Sequence, residues 1–191
     1  ESLALLEQKH ISVANNGAYV ENTTTTTKTV TVAEYNIMKQ HVNFGYEKVK
    51  NQNIDIRIKE ACLLHHEKCD GTGYPFGLKS DHIPAVAKII AIADVYDAMT
   101  SARVYRGALC PFEVIDTMYK DAFTKFEPEY ILPFLKNVAS SYINNDVRLS
   151  DGRIGKVVLI NENALSLPIV QCEDEFIDLS KTRGLTVSAI L

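Results

Sequence analysis

The stretch from Pro84 to Ser101 constrains the fold most, because it is apolar around nearly its whole circumference. Proline suits the first turn of a helix, and a helix that is apolar on every side belongs at the centre of a bundle. Its most apolar part, residues 83–93 apart from Lys88, is too short to span a bilayer. We therefore predict a buried central helix with a carboxylate, Asp94, inside it.

Further helices are predicted around this one, with a small β-rich appendage after them. Thr31 and Glu34 form a capping-box pattern at the start of a helix that continues to about Val49. A rough i, i+3, i+4 spacing follows in it, at Ile37, Met38, His41, Phe44, Gly45 and Val49. The other helices are expected at Ile54–His66, Pro111–Asp121 and Pro128–Tyr142. Short β-branched runs that predict strands follow at Gly152–Ile160, Pro168–Cys172, Glu175–Leu179 and Leu185–Ile190.

Two segments have the composition of loops. Val13–Thr31 contains the threonine run Thr23–Thr27 and favours loop or poorly ordered chain, and Asp70–Lys79 is rich in glycine and proline. The predicted fold class is mainly α, a helical bundle with a β-rich tail. The expected divisions are a degenerate N-terminal part at 1–30, a helical core at 31–145 and a β-rich extension at 146–191.

Composition excludes several classes of protein. The net charge of −4 lacks the basic excess that a duplex nucleic-acid binder needs. The four cysteines form no CxxC pair or zinc spacing, which predicts reduced thiols in a cytoplasmic protein. No signal peptide or membrane segment is predicted.

A set of metal-binding side chains surrounds the glycine-rich loop. His65 and His66 end a helix and lead directly into it, Asp94 lies in the most apolar helix, and His41 shares the face of an earlier helix. Together they make an N,N,N,O donor set that suits iron, manganese or zinc. The alternatives are hydrogen-bonded core histidines and, for Asp94, a buried ion pair with Arg103 or Lys88.

The sequence from His65 to Pro75, HHEKCDGTGYP, resembles the HHExxDGxGYP signature of the HD-GYP family. Residues 92–106, IADVYDAMTSARVYR, are similar to the family's next block, and Met38–His41 to a third. The resemblance implies a cytoplasmic domain of cyclic di-GMP signalling, which hydrolyses the cyclic dinucleotide with two or three iron or manganese ions. It also implies GGDEF-type or receiver partners and allows a homodimer.

The resemblance assigns roles to particular residues. The implied metal ligands are His41, His65, His66 and Asp94. The implied substrate-binding residues are Arg103 and Arg106, whose guanidinium groups suit phosphate, and Tyr74, Asp70, Gly73 and Pro75 in the loop.

The family's HDxGK element is missing from the expected position. Counting back from His41, that position reads Ser12-Val13-Ala14-Asn15-Asn16, so Ser12 and Val13 replace the metal-binding pair and Asn16 replaces a lysine. His10 lies nearby but is followed by Ile11 rather than by aspartate. The ligands that precede this element in the family would lie before residue 1. Because paired metals activate the attacking water and stabilise the charge on phosphorus, this loss predicts weak or absent catalysis.

Three interpretations follow from the missing element. In the first interpretation, the domain is a non-catalytic cyclic di-GMP sensor or regulatory partner. In the second, residues 12–31 are damaged, as by a reading-frame error, and the parent protein is an active phosphodiesterase. In the third interpretation the bundle is a dimerisation module with a vestigial pocket.

Overall fold

The computed structural model describes residues 12–13, 18–20, 30–101 and 108–191, with side chains from residue 31 onward. Its helices are α1 (Val32–Lys39), α2 (His41–Val49), α3 (Ile56–Leu64), α4 (Ala85–Thr100), α5 (Pro111–Asp121) and α6 (Pro128–Ser141). Its strands are β1 (Ser12–Val13), β2 (Ala18–Val20), β3 (Val30–Thr31), β4 (Asp146–Leu149), β5 (Ile154–Leu159), β6 (Ile169–Cys172), β7 (Glu175–Asp178) and β8 (Val187–Ile190). The predicted fold class, mainly α with a β-rich tail, is confirmed.

The described residues fall into two compact units. One contains those within Glu1–Met99 together with Thr124–Glu127, and the other contains α5, α6 and strands β4 to β8. The candidate histidines all lie in the first unit.

The capping box at the start of α1 is confirmed. The Thr31 hydroxyl accepts from the Glu34 amide at 3.2 Å, and the Glu34 carboxylate accepts from the Thr31 amide at 2.8 Å. The expected single helix to Val49 is wrong, because the chain turns tightly at Gln40, whose amide donates to Ile37 O at 3.0 Å. The turn brings Met38 inward and leaves Ile37 exposed.

Helices α3 and α4 pack through small and branched apolar residues. Leu64, Ile83 and Ala87 form a buried cluster, and Asp55 caps α3 by accepting from the Arg57 amide at 2.9 Å. Helix α4 buries Ala91 and Ile92 among others, but Ile89 and Ile90 are 48% and 43% exposed. The prediction that α4 is covered on nearly every side is therefore wrong for the face that carries those two residues.

The C-terminal sheet is entirely antiparallel, in the order β7-β6-β5-β4-β8. Strands β5 to β8 lie within the predicted runs, and the sequence analysis missed β4. Gly155 allows β5 and β6 to approach closely, since a Cβ there would lie 2.6 Å from the Cys172 Sγ.

The predicted loop at residues 13–31 is partly wrong. Its described residues include two short antiparallel pairings, Ser12 with Val20 and Ala18 with Thr31. The run Thr23–Thr27 lies outside the described residues. None of the helices in the described part of the chain has the length and apolar character that a bilayer crossing requires.

Candidate metal centre

Three histidines from two helix junctions meet in the first unit. One nitrogen of each of His41, His65 and His66 lies within 4.8 Å of the others. The His66 Nε2 lies 3.1 Å from the His41 Nε2, and the rings of His65 and His66 are 4.2 Å apart between centroids. The three histidines that the sequence predicts as metal ligands therefore lie close together.

Backbone carbonyls fix the orientation of two of the rings. The His41 Nδ1 donates to Met38 O at 3.0 Å, and the His65 Nδ1 donates to Ala61 O at 2.9 Å. In the neutral imidazole each Nε2 then keeps its lone pair, which is the usual arrangement behind metal-bound histidine. Burial lowers the pKa of His65, and the neighbouring His66 adds to the effect. The neutral form that a metal requires is therefore favoured.

His66 is held by the loop that follows it. The ring is only 6% exposed and stacks on Tyr74, with centroids 4.8 Å apart and planes inclined by 21°. The Tyr74 amide donates to His66 O at 3.1 Å. Gly73 permits this return of the chain, because a Cβ there would lie 2.4 Å from the Lys68 amide nitrogen and 2.5 Å from His66 O.

Glu67 closes the loop, a role that the sequence analysis missed. Its carboxylate is buried, with the residue 4% exposed, and accepts from the amides of Phe76 at 2.7 Å and Leu78 at 2.8 Å. Both oxygens are thus used by the loop backbone, so Glu67 is not a free metal ligand. A carboxylate beside two candidate metal ligands and before a glycine-rich loop was the available sequence signal.

Asp94 lies on the other side of His66. Its Oδ2 is 4.0 Å from the His66 Nδ1, and its side chain is 34% exposed. This position suits a carboxylate that orients His66 or that supplies an oxygen ligand. The alternative ion pair with Lys88 is wrong, because Lys88 instead contacts Glu127 at 2.8 Å and the Ser80 hydroxyl at 2.8 Å.

The remaining predicted site residues are placed less directly. The Asp70 carboxylate accepts from the Thr72 amide and hydroxyl, at 2.9 and 2.6 Å; burial opposes its ionisation, but these bonds outweigh burial and lower its pKa. Asp70 thus shapes the loop, and Pro75 follows Tyr74 within it. Arg103, Arg106 and Ala14–Asn16 lie outside the described residues, and the side chains of Ser12 and Val13 are not described.

The donor set fits a transition metal. Two nitrogens bound at about 2.0–2.1 Å to one ion at 90–110° lie roughly 2.8–3.4 Å apart. The His41 and His66 nitrogens, 3.1 Å apart, have this spacing, and all three nitrogens lie within 4.8 Å of one another. Imidazole nitrogens with a nearby carboxylate suit iron, manganese or zinc.

Comparison with known proteins identifies the fold family. A family model described as an HD domain matches residues 10–130. The chain belongs to the HD domain family, in its HD-GYP branch. It is 34% identical over 143 residues to a cyclic di-GMP phosphodiesterase of Pseudomonas aeruginosa. The aligned residues make up 74% of this chain and 34% of that protein.

Two other relatives show the range of the HD-GYP matches. A cyclic di-GMP phosphodiesterase response regulator of Xanthomonas campestris is 38% identical over 112 residues, 58% of this chain and 30% of that protein. A 3'3'-cGAMP-specific phosphodiesterase of Vibrio cholerae is 36% identical over 101 residues, 51% of this chain and 19% of that protein. The chain therefore spans about a third or less of the length of these relatives.

Proposed function

We propose that this chain is a metal-binding cyclic dinucleotide domain of cyclic di-GMP signalling, with catalysis weak or lost in the chain as written. The observation that carries the proposal is the convergence of His41, His65 and His66 beside an ordered glycine-rich loop. The cytoplasm is the proposed location, because the four cysteines are free thiols without a disulfide or zinc-binding pattern.

The metal part of the proposal rests on the preorganised rings. His41, His65 and His66 hold one iron or manganese ion through nitrogen, and Asp94 either supplies an oxygen or orients His66. A bound divalent ion would polarise a phosphodiester and lower the pKa of a bound water. The residues of this chain position the ring nitrogens, and Glu67 and Tyr74 keep the loop closed against them.

The nucleotide part of the proposal rests on the surroundings of the metal centre. Phe76 presents an exposed aromatic ring beside the loop, whereas Tyr74 is buried against His66 and supports the loop from within. An exposed aromatic ring can stack on a base. Arg103 and Arg106 are proposed to contact phosphate through their planar guanidinium groups. Relatives named for cyclic di-GMP and for 3'3'-cGAMP favour a cyclic dinucleotide.

Impaired catalysis follows from the residues at the missing element. Ser12 and Val13 stand where the family has a metal-bridging His-Asp pair, and neither side chain can bridge two cations. Hydrolysis in the family depends on paired metals, so one weakly held ion should bind the substrate without efficient turnover. A sensor or regulatory partner of GGDEF-type or receiver proteins is the function that such a site can perform.

The alternative is an active phosphodiesterase. It requires that residues 12–31 are damaged in this sequence. The match of the HD domain model from residue 10 onward supports an HD-domain origin for the segment where the HDxGK element is expected. Metal analysis of the purified chain, combined with a cyclic di-GMP hydrolysis assay, separates the two functions. We expect one ion or fewer per chain and little turnover, whereas two ions with steady turnover would refute the proposal.

Calorimetry separates a sensor from a dimerisation scaffold. We expect cyclic di-GMP to bind the metal-loaded chain, and the variant His66→Ala to lose both metal and nucleotide. Lys136→Met is a matched control, because Lys136 pairs with Glu162 at 2.6 Å in the other unit. Absence of nucleotide binding by the unaltered chain, together with a stable homodimer, would favour the scaffold.

A further inference from the structure

We propose that Lys39 is a phosphate-contacting cation of the nucleotide pocket. This inference rests on the proposed function, because it requires a cyclic dinucleotide at the histidine cluster. A cyclic dinucleotide carries two phosphodiester anions, so one metal ion leaves negative charge that a nearby ammonium group can contact. Asn16 stands where the family has a lysine. The positive charge that this lysine would supply must therefore come from another side chain.

The position of Lys39 is set by two tyrosine rings. Its Nζ lies 4.6 Å from the centroid of the Tyr35 ring, one helical turn earlier in α1, and 5.7 Å from the centroid of the Tyr74 ring. Both distances are within the range in which an ammonium is attracted to an aromatic face. The long side chain therefore reaches from the end of α1 to the glycine-rich loop.

Tyr74 links this ammonium to the candidate metal centre. The Tyr74 ring stacks on His66 at 4.8 Å and lies 6.3 Å from the His41 ring. A single aromatic ring thus separates the Lys39 charge from a candidate metal ligand. Lys39 is half-buried as a residue, so its side chain is not enclosed in the core.

A purely structural role for Lys39 makes a different prediction. Lysine at the last turn of a helix stabilises the C-terminus by charge, and a cation over two rings would hold α1 to the loop. Such a role would lower the melting temperature on substitution and leave nucleotide affinity unchanged in the folded protein. A phosphate contact would instead lower nucleotide affinity in Lys39→Met and leave the melting temperature nearly unchanged. Methionine keeps an aliphatic stem that packs on the rings but lacks the positive charge.

The test is calorimetric titration of the metal-loaded chain with cyclic di-GMP at two salt concentrations. A hydrogen bond to a charged group corresponds to roughly tenfold or more in affinity. We therefore expect Lys39→Met to bind at least about tenfold more weakly, with a smaller dependence on salt. Lys39→Arg should stay within about threefold of the unaltered chain, and Lys136→Met should be unchanged. Lys39→Gln replaces Lys39→Met if the latter does not fold.

Distinct outcomes separate this inference from the proposed function. Unchanged affinity in both neutral variants would overturn the role of Lys39 while leaving the nucleotide domain intact. Equal weakening by Lys39→Arg and Lys39→Met would overturn it too, because positive charge would not be the property that matters. No binding by the unaltered, metal-loaded chain would overturn both.

Discussion

Replacement of Gly73 by alanine should destabilise the glycine-rich loop and weaken metal binding at the candidate centre. The new Cβ would lie 2.4 Å from the Lys68 nitrogen, 2.5 Å from the Glu67 Cα and 2.5 Å from His66 O. Non-bonded heavy atoms attract at about 3.5 Å or more, so the two backbone segments must separate by about 1 Å. None of the three atoms belongs to a flexible side chain, so the clash has no inexpensive relief.

The cost of that separation can be estimated from its two parts. Overpacking of this kind costs about 1–3 kcal/mol. Loss of the hydrogen bond from Tyr74 to His66 O, 3.1 Å long in the structure, adds about 1 kcal/mol. We expect Gly73→Ala to lower the free energy of unfolding by about 3 kcal/mol. It should also reduce bound metal, because His66 moves with its carbonyl.

Gly45→Ala is the matched control. Gly45 lies inside α2, and a Cβ there would meet nothing within 4 Å. Alanine should therefore stabilise the helix by about 0.5–1 kcal/mol. Urea unfolding measures both variants, and metal analysis measures occupancy. The reasoning is refuted if Gly73→Ala unfolds within about 0.5 kcal/mol of the unaltered chain and still holds metal.

Three further predictions concern the surroundings of the centre. Burial lowers the pKa of His65 below its unfolded value of about 6.5, so the metal-free protein should lose stability as pH falls below about 6.5. His65→Gln should flatten that part of the pH profile of the free energy of unfolding. An unchanged profile in this variant would contradict the prediction. Lys88→Met should cost about 1–2 kcal/mol in urea unfolding, because it leaves the partly exposed Glu127 without its 2.8 Å partner; a variant as stable as the parent would show the pair to be inert. Glu67→Gln should speed hydrogen exchange selectively at the Phe76 and Leu78 amides, which donate to this carboxylate. An equal increase in exchange rate at every loop amide would argue against a specific role for these two hydrogen bonds.

Several parts of the fold followed from local chemistry in the sequence. The Thr31–Glu34 capping box, the proline at the start of α5 and the glycine-rich loop between Asp70 and Lys79 are each set by a few neighbouring residues. Such signals depend on nearby hydrogen bonds and backbone angles, so they can be read without the tertiary structure.

Errors arose where packing overrode local pattern. The predicted apolar stripe included Ile37, Met38 and Phe44 along a single helix, but only Met38 of these three is buried, and Ile37 and Phe44 are exposed. Val42, which lay outside that stripe, is buried instead, because the chain turns at Gln40. Apolar composition also predicted a covered α4, although Ile89 and Ile90 are half exposed. Hydrophobicity states which residues can be buried, and only the packed neighbours decide which are.

For the candidate metal centre, too, the sequence and the tertiary structure determined different things. The sequence by itself determined which residues have metal-binding chemistry: His41, His65, His66 and Asp94, with a glycine-rich loop after the paired histidines. Only the tertiary structure decided that the Nε2 of His41, 25 residues before His66 in the chain, lies 3.1 Å from the Nε2 of His66. It also decided that the Glu67 carboxylate binds amides of the loop and that Lys39 contacts the Tyr74 ring. Donor chemistry belongs to a side chain wherever it stands, whereas distances between donors depend on how the helices pack.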